Sequence, residues 1–116
     1  MKHIAATAVC IVLIAFYTVF SYIFIGRFYD NMTYELINLC NSDYSENCIN
    51  EIRTLFEDNK KILLVIVNKE YINSVEENII RMECAAHYNN LQDIAVCERL
   101  IQSSIEEIKK SSHTLY

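Results

Sequence analysis

The sequence predicts an all-α protein in which an N-terminal transmembrane helix is followed by a small antiparallel helical bundle. Three observations predict this fold class. Residues 4–25 form an apolar stretch without a charged side chain. The chain of 116 residues contains one Gly and no Pro, so it has almost no helix breakers and none of the usual hairpin-turn pairs. Beyond this stretch, apolar residues recur at intervals of three and four, which is the period of a helix.

The transmembrane helix is predicted from residues 4–25, which read IAATAVCIVLIAFYTVFSYIFI. At about 1.5 Å per residue it would be roughly 33 Å long, enough to cross a hydrocarbon core of about 30 Å. The stretch exceeds the apolar core of about 7–15 residues in a secretory signal, and no small-x-small cleavage site follows it. We therefore expect an uncleaved signal-anchor at residues 1–27, followed by a helical domain at residues 28–116.

Basic residues near the anchor bear on its orientation. Lys2 precedes the anchor and Arg27 follows it, so the positive-inside rule is nearly balanced. A tail of three residues before the anchor is typical of a signal-anchor whose N-terminus is inside. We therefore expect a single-pass protein of the cell membrane with its helical domain on the extracytoplasmic side.

The rest of the chain is predicted to form helices joined by short turns. The first helix is expected to continue to about Cys40, and three more are expected at about residues 45–67, 71–88 and 91–110. Short connections make neighbouring helices antiparallel. Phe56 lies on the apolar stripe of helix two, so it is predicted to be in the core.

Polar residues predict where the helices begin. Asp43 followed by Glu46 resembles a capping box at the start of helix two. Residues 68–70 are expected to form a short break before helix three. Asn90 together with Asp93 predicts the N-cap of helix four.

The charge of the domain excludes some classes of partner. The chain after residue 29 holds all 15 acidic residues and eight basic ones, a net charge of −7. Such a surface repels nucleic acid and anionic lipid headgroups, so we expect no binding to nucleic acid.

Four cysteines flank two of the predicted turns. Cys40 and Cys48 lie on either side of the first turn, and Cys84 and Cys97 lie on either side of the turn at residues 89–90. Positions equidistant from a turn face each other across an antiparallel hairpin, so we predict the disulfides Cys84–Cys97 and Cys40–Cys48. The alternative is four small buried residues in a reducing cytoplasm, where disulfides are rare.

Few residues have the pattern of a catalytic or metal site. Cys84 and His87 are spaced i, i+3, and with Cys97 they would supply three zinc ligands, but no fourth ligand is evident. No Ser-His-Asp order, phosphate loop or haem motif occurs. We therefore expect no catalytic residues, no metal and no cofactor. An enzyme would need a cleft where Glu76, Arg81 and Glu83 converge.

From residue 56 onward the sequence follows a loose motif. An aromatic residue, Phe56, precedes a basic and apolar stretch at residues 60–67. An acidic turn with Glu70 follows, and then Glu76 and Arg81 on the next helix. This order resembles the family catalogued as domain of unknown function 4363, small bacterial proteins with one N-terminal membrane segment and a helical domain. The resemblance covers most of residues 4–108. Family members usually have Trp at the position of Phe56, and His in the turn at residues 68–70.

The resemblance also implies a partner. The family has no established activity, and its members are often encoded next to multi-pass membrane proteins. It therefore implies a membrane partner, and it singles out Glu76 and Arg81 as possible interaction or polar-contact residues.

These observations favour a membrane-anchored interaction module that binds or regulates another membrane protein. The anchor contacts the bilayer through residues 4–25. Residues 62–67, ILLVIV, are apolar on every side and are expected to be buried or to lie against something apolar. The alternative is a ligand-binding sensor or carrier, with a pocket between helices lined by Tyr71, Met82 and Tyr88.

Overall fold

The computed structural model describes residues 2–114, with side chains for residues 2–111. Four helices account for almost all of this range, and the all-α fold class is confirmed. They are α1 Lys2–Asn41, α2 Glu46–Ile66, α3 Lys69–His87 and α4 Leu91–Thr114.

Helix α1 is one unbroken helix of 40 residues. It passes through the predicted boundary between residues 27 and 28 without a change of secondary structure. Its side chains are exposed up to Tyr17, and the first buried ones are Ser21 and Ile25, near the end of the predicted membrane segment. The bundle therefore begins within that segment.

The four helices form an antiparallel bundle in which each helix packs against two others. Helices α1 and α3 both contact α2 and α4, while in residues 2–114 no Cα atoms of the diagonal pairs α1/α3 and α2/α4 come within 8 Å of each other. Arg53 on α2 pairs with Glu83 on α3, and Arg81 on α3 pairs with Asp93 on α4. These pairs show which positions of neighbouring helices lie at the same height.

The bundle has two different ends. The α1/α2 turn and the α3/α4 turn lie at the end that we call distal. The α2/α3 turn lies at the opposite end, which we call proximal, beside the exposed part of α1. There the Tyr17 hydroxyl donates a hydrogen bond to the Val65 carbonyl, over 3.3 Å. The exposed part of α1 extends beyond the proximal end, so the molecule is elongated, 66 Å by 23 Å by 22 Å.

The core forms where the apolar stripes of the four helices meet. Phe56 is 1% exposed, which confirms its predicted place in the core. The buried apolar side chains are Ile25, Phe28, Met32, Leu36, Leu39, Ile49, Ile52, Phe56, Leu63, Ile72, Val75, Ile79, Met82, Ala85, Ile94, Cys97, Ile101, Ile105 and Ile108.

Helix α2 does not begin with the predicted capping box. Its N-cap is Ser45, whose hydroxyl accepts a hydrogen bond from the backbone N–H of Cys48. Asp43 and Tyr44 have positive φ angles of 57° and 61°, so they belong to the turn and not to a helix start. The pairing of Asp43 with Glu46 is therefore wrong, because the chain is still in the left-handed region at Asp43.

The other two helix starts are defined by asparagines. The Asn68 side chain accepts a hydrogen bond from the N–H of Glu70, so the expected break at residues 68–70 is shorter and α3 begins at Lys69. The Asn90 side chain accepts a hydrogen bond from the N–H of Asp93 over 3.1 Å, which confirms the predicted N-cap of α4.

Candidate functional site

The N-terminal part of α1 is an exposed apolar surface. Large apolar side chains between residues 4 and 16 are exposed, and Phe16 is 73% exposed. This helix is long and apolar enough to cross a membrane, and 11% of its most apolar stretch is buried. The core helix of a soluble protein of this hydropathy would be mostly buried. An apolar environment outside the bundle therefore suits this surface better than water does.

The proximal end of α2 adds a second apolar surface next to the first. We call residues 62–67 the proximal tip. Within it Leu63 is buried in the core, whereas Ile62, Leu64 and Val65 are exposed. The hydrogen bond from Tyr17 to the Val65 carbonyl places the tip beside α1, so the two apolar surfaces are neighbours.

Ion pairs link the helices along the sides of the bundle. Glu76 pairs with Lys60 on α2, and its carboxylate raises the pKa of the Lys60 amine, chiefly through their hydrogen bond. Arg81 instead contacts Asp93 on α4 over 2.6 Å, and this hydrogen bond raises the pKa of the Arg81 guanidinium. Of the two predicted polar-contact residues, Arg81 reaches helix four and Glu76 reaches helix two.

The arrangement does not assemble a cleft from these charged groups. Glu76, Arg81 and Glu83 each have a separate partner on a neighbouring helix: Lys60, Asp93 and Arg53. All three pairs are partly exposed, so each contributes little to stability. Glu76, Arg81 and Glu83 therefore do not converge on one cleft.

The structure contains neither predicted disulfide. All five cysteines lie within the described residues and are free thiols. Cys97 is buried in the core, whereas Cys84 is exposed, so the two side chains leave the α3/α4 hairpin in different directions. The prediction compared distances from the turn and neglected the helical period, which rotates successive side chains by about 100°.

The thiols of Cys40 and Cys48 make hydrogen bonds to different partners. The Cys40 thiol donates to the Glu98 carboxylate on α4, with 2.9 Å between Sγ and each oxygen. Burial and this carboxylate raise the pKa of Cys40. The Cys48 sulfur accepts a hydrogen bond from the Ser42 hydroxyl over 3.2 Å. A disulfide between Cys40 and Cys48 would remove the proton that Cys40 donates to Glu98.

The candidate zinc ligands are likewise spread over different environments. Cys97 is in the core, Cys84 is exposed, and the His87 ring packs edge-on against Tyr88. Within the described part of the chain, no three His, Cys, Asp or Glu side chains are arranged to hold a metal ion.

The residues of the predicted ligand pocket do not line a common cavity. Met82 is fully buried in the core, while Tyr88 is 80% exposed at the distal end and Tyr71 is half-buried near the proximal end. A different concavity, of about 400 Å³, opens between α1 and α2; we call it the acidic groove, and it is lined by Asn31, Tyr34, Glu35, Glu51, Thr54, Leu55 and Asp58.

The acidic groove concentrates negative charge on one side of the bundle. Glu35, Glu51 and Asp58 contribute three carboxyl groups to it. Burial, and then the charge of Glu51, raise the pKa of Glu35. The groove is open to solvent and most of its side chains are exposed, which is typical of a contact surface and not of an enclosed binding pocket.

The comparisons with known proteins do not assign the chain to a family, because no family model, curated protein or solved structure matches it. Over residues 2–114, the fold and the surfaces define an all-α protein with one candidate membrane-spanning helix, which continues without interruption into a four-helix bundle.

Proposed function

We propose that this protein is a membrane-anchored interaction module that binds or regulates a partner membrane protein and performs no catalysis. The observation that carries the proposal is the continuity of α1. The exposed apolar segment and one quarter of the bundle are parts of the same helix. A helix that is unbroken at the membrane surface holds the bundle at a fixed height and in a fixed rotation about the helix axis relative to the membrane segment, as a docking module requires.

The outer face of α1 is the surface that we assign to the partner. Tyr34 and Ile37 are exposed and lie about one turn apart on this face, and Tyr34 also lines the acidic groove. Exposed aromatic and aliphatic side chains beside charged ones are typical of protein interfaces. The carboxylates of the groove complement a partner whose surface near the bilayer carries Lys or Arg.

This assignment is tested by photo-crosslinking in membranes. A photoreactive amino acid replaces Ile37 in one variant and Ile80 in the matched control. Both isoleucines are exposed, by 54% and 46%, but Ile80 lies on α3, which is diagonal to α1. We expect the variant at position 37 to crosslink to a second membrane protein and the variant at position 80 not to do so. Recovery of this protein alone from both variants would contradict the proposal.

The orientation in the membrane is part of the proposal, with the bundle on the extracytoplasmic side. Cys84 is an exposed thiol on the bundle, and Cys97 is a buried thiol that serves as an internal control. We expect a membrane-impermeant thiol reagent to label Cys84 in intact cells and to leave Cys97 unlabelled until the protein is denatured. Labelling of Cys84 only after cell lysis would place the bundle in the cytoplasm.

A further inference from the structure

The apolar segment that precedes the bundle is too short to cross a bilayer alone. Residues 4–17 span about 21 Å at about 1.5 Å per residue, whereas the hydrocarbon core is about 30 Å thick. The remaining 9 Å or so corresponds to about six more residues of α1, approximately Thr18 to Ile23. Bundle packing already begins there, because Ser21 is buried. If α1 spans the membrane, the proximal end of the bundle must therefore lie at the membrane surface or slightly below it.

The proximal tip is the part of the bundle at that height. Its Val65 carbonyl accepts the hydrogen bond from Tyr17, at the end of the exposed segment. The C-terminal part of α4 lies higher, because the Lys109 amine sits 4.3 Å from the centre of the Tyr29 ring. Tyr29 is about 18 Å farther along α1 than Tyr17. The tip therefore meets the bilayer before α4 does.

The side chains of the tip suit the boundary between headgroups and acyl chains. Leu64 and Val65 are exposed, and Val65 is 72% exposed, although apolar side chains at a helix end would gain free energy by leaving water. Lys69 follows the tip, and its long aliphatic stem lets its amine reach the headgroups. Glu70 is also exposed, and its carboxylate limits the depth because a charge is costly in hydrocarbon.

We propose that the proximal tip inserts into the headgroup–acyl boundary of the bilayer, so that the protein contacts the lipid through α1 and, separately, through the α2/α3 turn. This inference rests on the membrane anchoring in the proposed function. The two contacts together fix the tilt of the bundle, since a single helix leaves the bundle free to tilt about its entry point. The occupant of the tip surface is lipid and not a partner protein.

Tryptophan fluorescence tests this inference directly, because the chain contains no Trp. Three single-Trp variants are reconstituted into phosphatidylcholine vesicles: Val65→Trp at the tip, Phe16→Trp in α1 as the anchor reporter, and Tyr88→Trp at the distal end. Lipids brominated on their acyl chains quench only Trp side chains that contact the hydrocarbon or its boundary. A zwitterionic lipid avoids repulsion by the net charge of the domain.

We expect brominated lipid to cause a large loss of fluorescence and a blue-shifted emission for Phe16→Trp and Val65→Trp, and neither effect for Tyr88→Trp. Quenching of Phe16→Trp without quenching of Val65→Trp would overturn the inference and leave the anchor intact. Absence of quenching in Phe16→Trp would overturn the membrane anchoring itself. Quenching of all three variants would also overturn the inference, because the lipid contact would not be confined to the tip.

The unsubstituted chain provides a second measurement, which removes any preference of Trp itself for the membrane interface. The protein is reconstituted with a phosphatidylcholine that carries a diazirine on its acyl chain, illuminated and analysed by peptide mass spectrometry. We expect lipid adducts on residues 4–17 and residues 62–67 and none on residues 88–91. Adducts on residues 4–17 without adducts on residues 62–67 would overturn the inference.

Discussion

At the scale of single residues, Phe56 contributes most clearly to stability. It is the largest of the side chains that are less than 2% exposed in the described part of the chain, and it lies on the buried stripe of α2 with Ile49, Ile52 and Leu63. Removal of a buried aromatic ring costs about 3–5 kcal/mol. A domain of this size has only about 5–10 kcal/mol of net stability, so the loss of this one ring removes a large part of it.

We therefore predict that Phe56→Ala lowers the melting temperature in detergent micelles by more than about 10 °C. Circular dichroism at a helical wavelength measures the transition. The matched control is Phe16→Ala, because Phe16 lies outside the bundle and is exposed. A shift of only a degree or two for Phe56→Ala would contradict its place in the core.

The buried thiol of Cys97 makes stability depend on pH. Burial raises the pKa of Cys97 above its ordinary value of 9.0. The folded protein therefore keeps this proton at pH values where the unfolded chain releases it. The contribution of this thiol to the free energy of unfolding is fully present below about pH 9. It is lost as the pH rises from there through the higher pKa of the folded state.

Urea unfolding at about pH 7 and about pH 10 measures this effect. We predict that the unsubstituted protein loses more unfolding free energy between the two pH values than Cys97→Ala does. The raised pKa values of Cys40 and Tyr44 act in both proteins, so the comparison cancels them. An equal loss in both proteins would show that the Cys97 proton is not coupled to folding.

At the scale of elements, periodicity was enough to predict all four helices. The stripes in α2, α3 and α4 are sustained over several turns, and no Pro interrupts them. The residues at which the helices begin and end were harder to predict. At Asp43 a left-handed turn conformation competes with a capping box, and local sequence does not distinguish the two. Helix α4 continues to Thr114, beyond the predicted end at Lys110, because no Gly or Pro stops it.

The contacts between helices were only partly predictable. Glu76 and Arg81 were expected as possible polar-contact residues, but their partners Lys60 and Asp93 and the Arg53–Glu83 pair were not predicted. In an antiparallel pair, residues at equal height have a nearly constant sum of sequence numbers, and the Lys60–Glu76 and Arg53–Glu83 pairs obey that rule. Opposite charges that satisfy such a sum were therefore a usable signal. The burial of Cys97 and the exposure of Cys84 depend on the rotation of each helix about its axis, which the distance of a residue from the turn does not give.

Truncation at two positions tests where the bundle begins along α1. Residues 18–27 include the buried Ile25, and Phe24 packs against the core. We predict that a fragment of residues 28–116 is less stable than one of residues 18–116 by about 2 kcal/mol or more, because large buried side chains are lost. Urea unfolding of both fragments measures the difference. Equal midpoints would place the whole bundle after residue 27.

At the scale of the whole molecule, the unbroken helix α1 makes the apolar segment and the bundle rotate together. With about 3.6 residues per turn, each residue inserted between Ala15 and Phe16 turns everything after it by about 100° and raises it by about 1.5 Å. The face that carries Ile37 therefore has a definite phase relative to the membrane-embedded side of the same helix. A flexible linker would leave the direction of this face undefined. In an unbroken helix, each added residue instead turns the face by a fixed angle.

An alanine-insertion series separates the effect of phase from the effect of height. Two inserted residues turn the face of Ile37 by about 200°, and four turn it by about 400°, which is within about 40° of its original direction. We predict that two insertions abolish the Ile37 crosslink to the partner and that four restore much of it, although four raise the bundle twice as far. A crosslink yield that declines steadily with each added residue would mean that only the height of the bundle matters. Recovery of the crosslink at four insertions would instead mean that the length of the segment below the bundle, counted in residues, determines which side of the bundle faces its membrane neighbour.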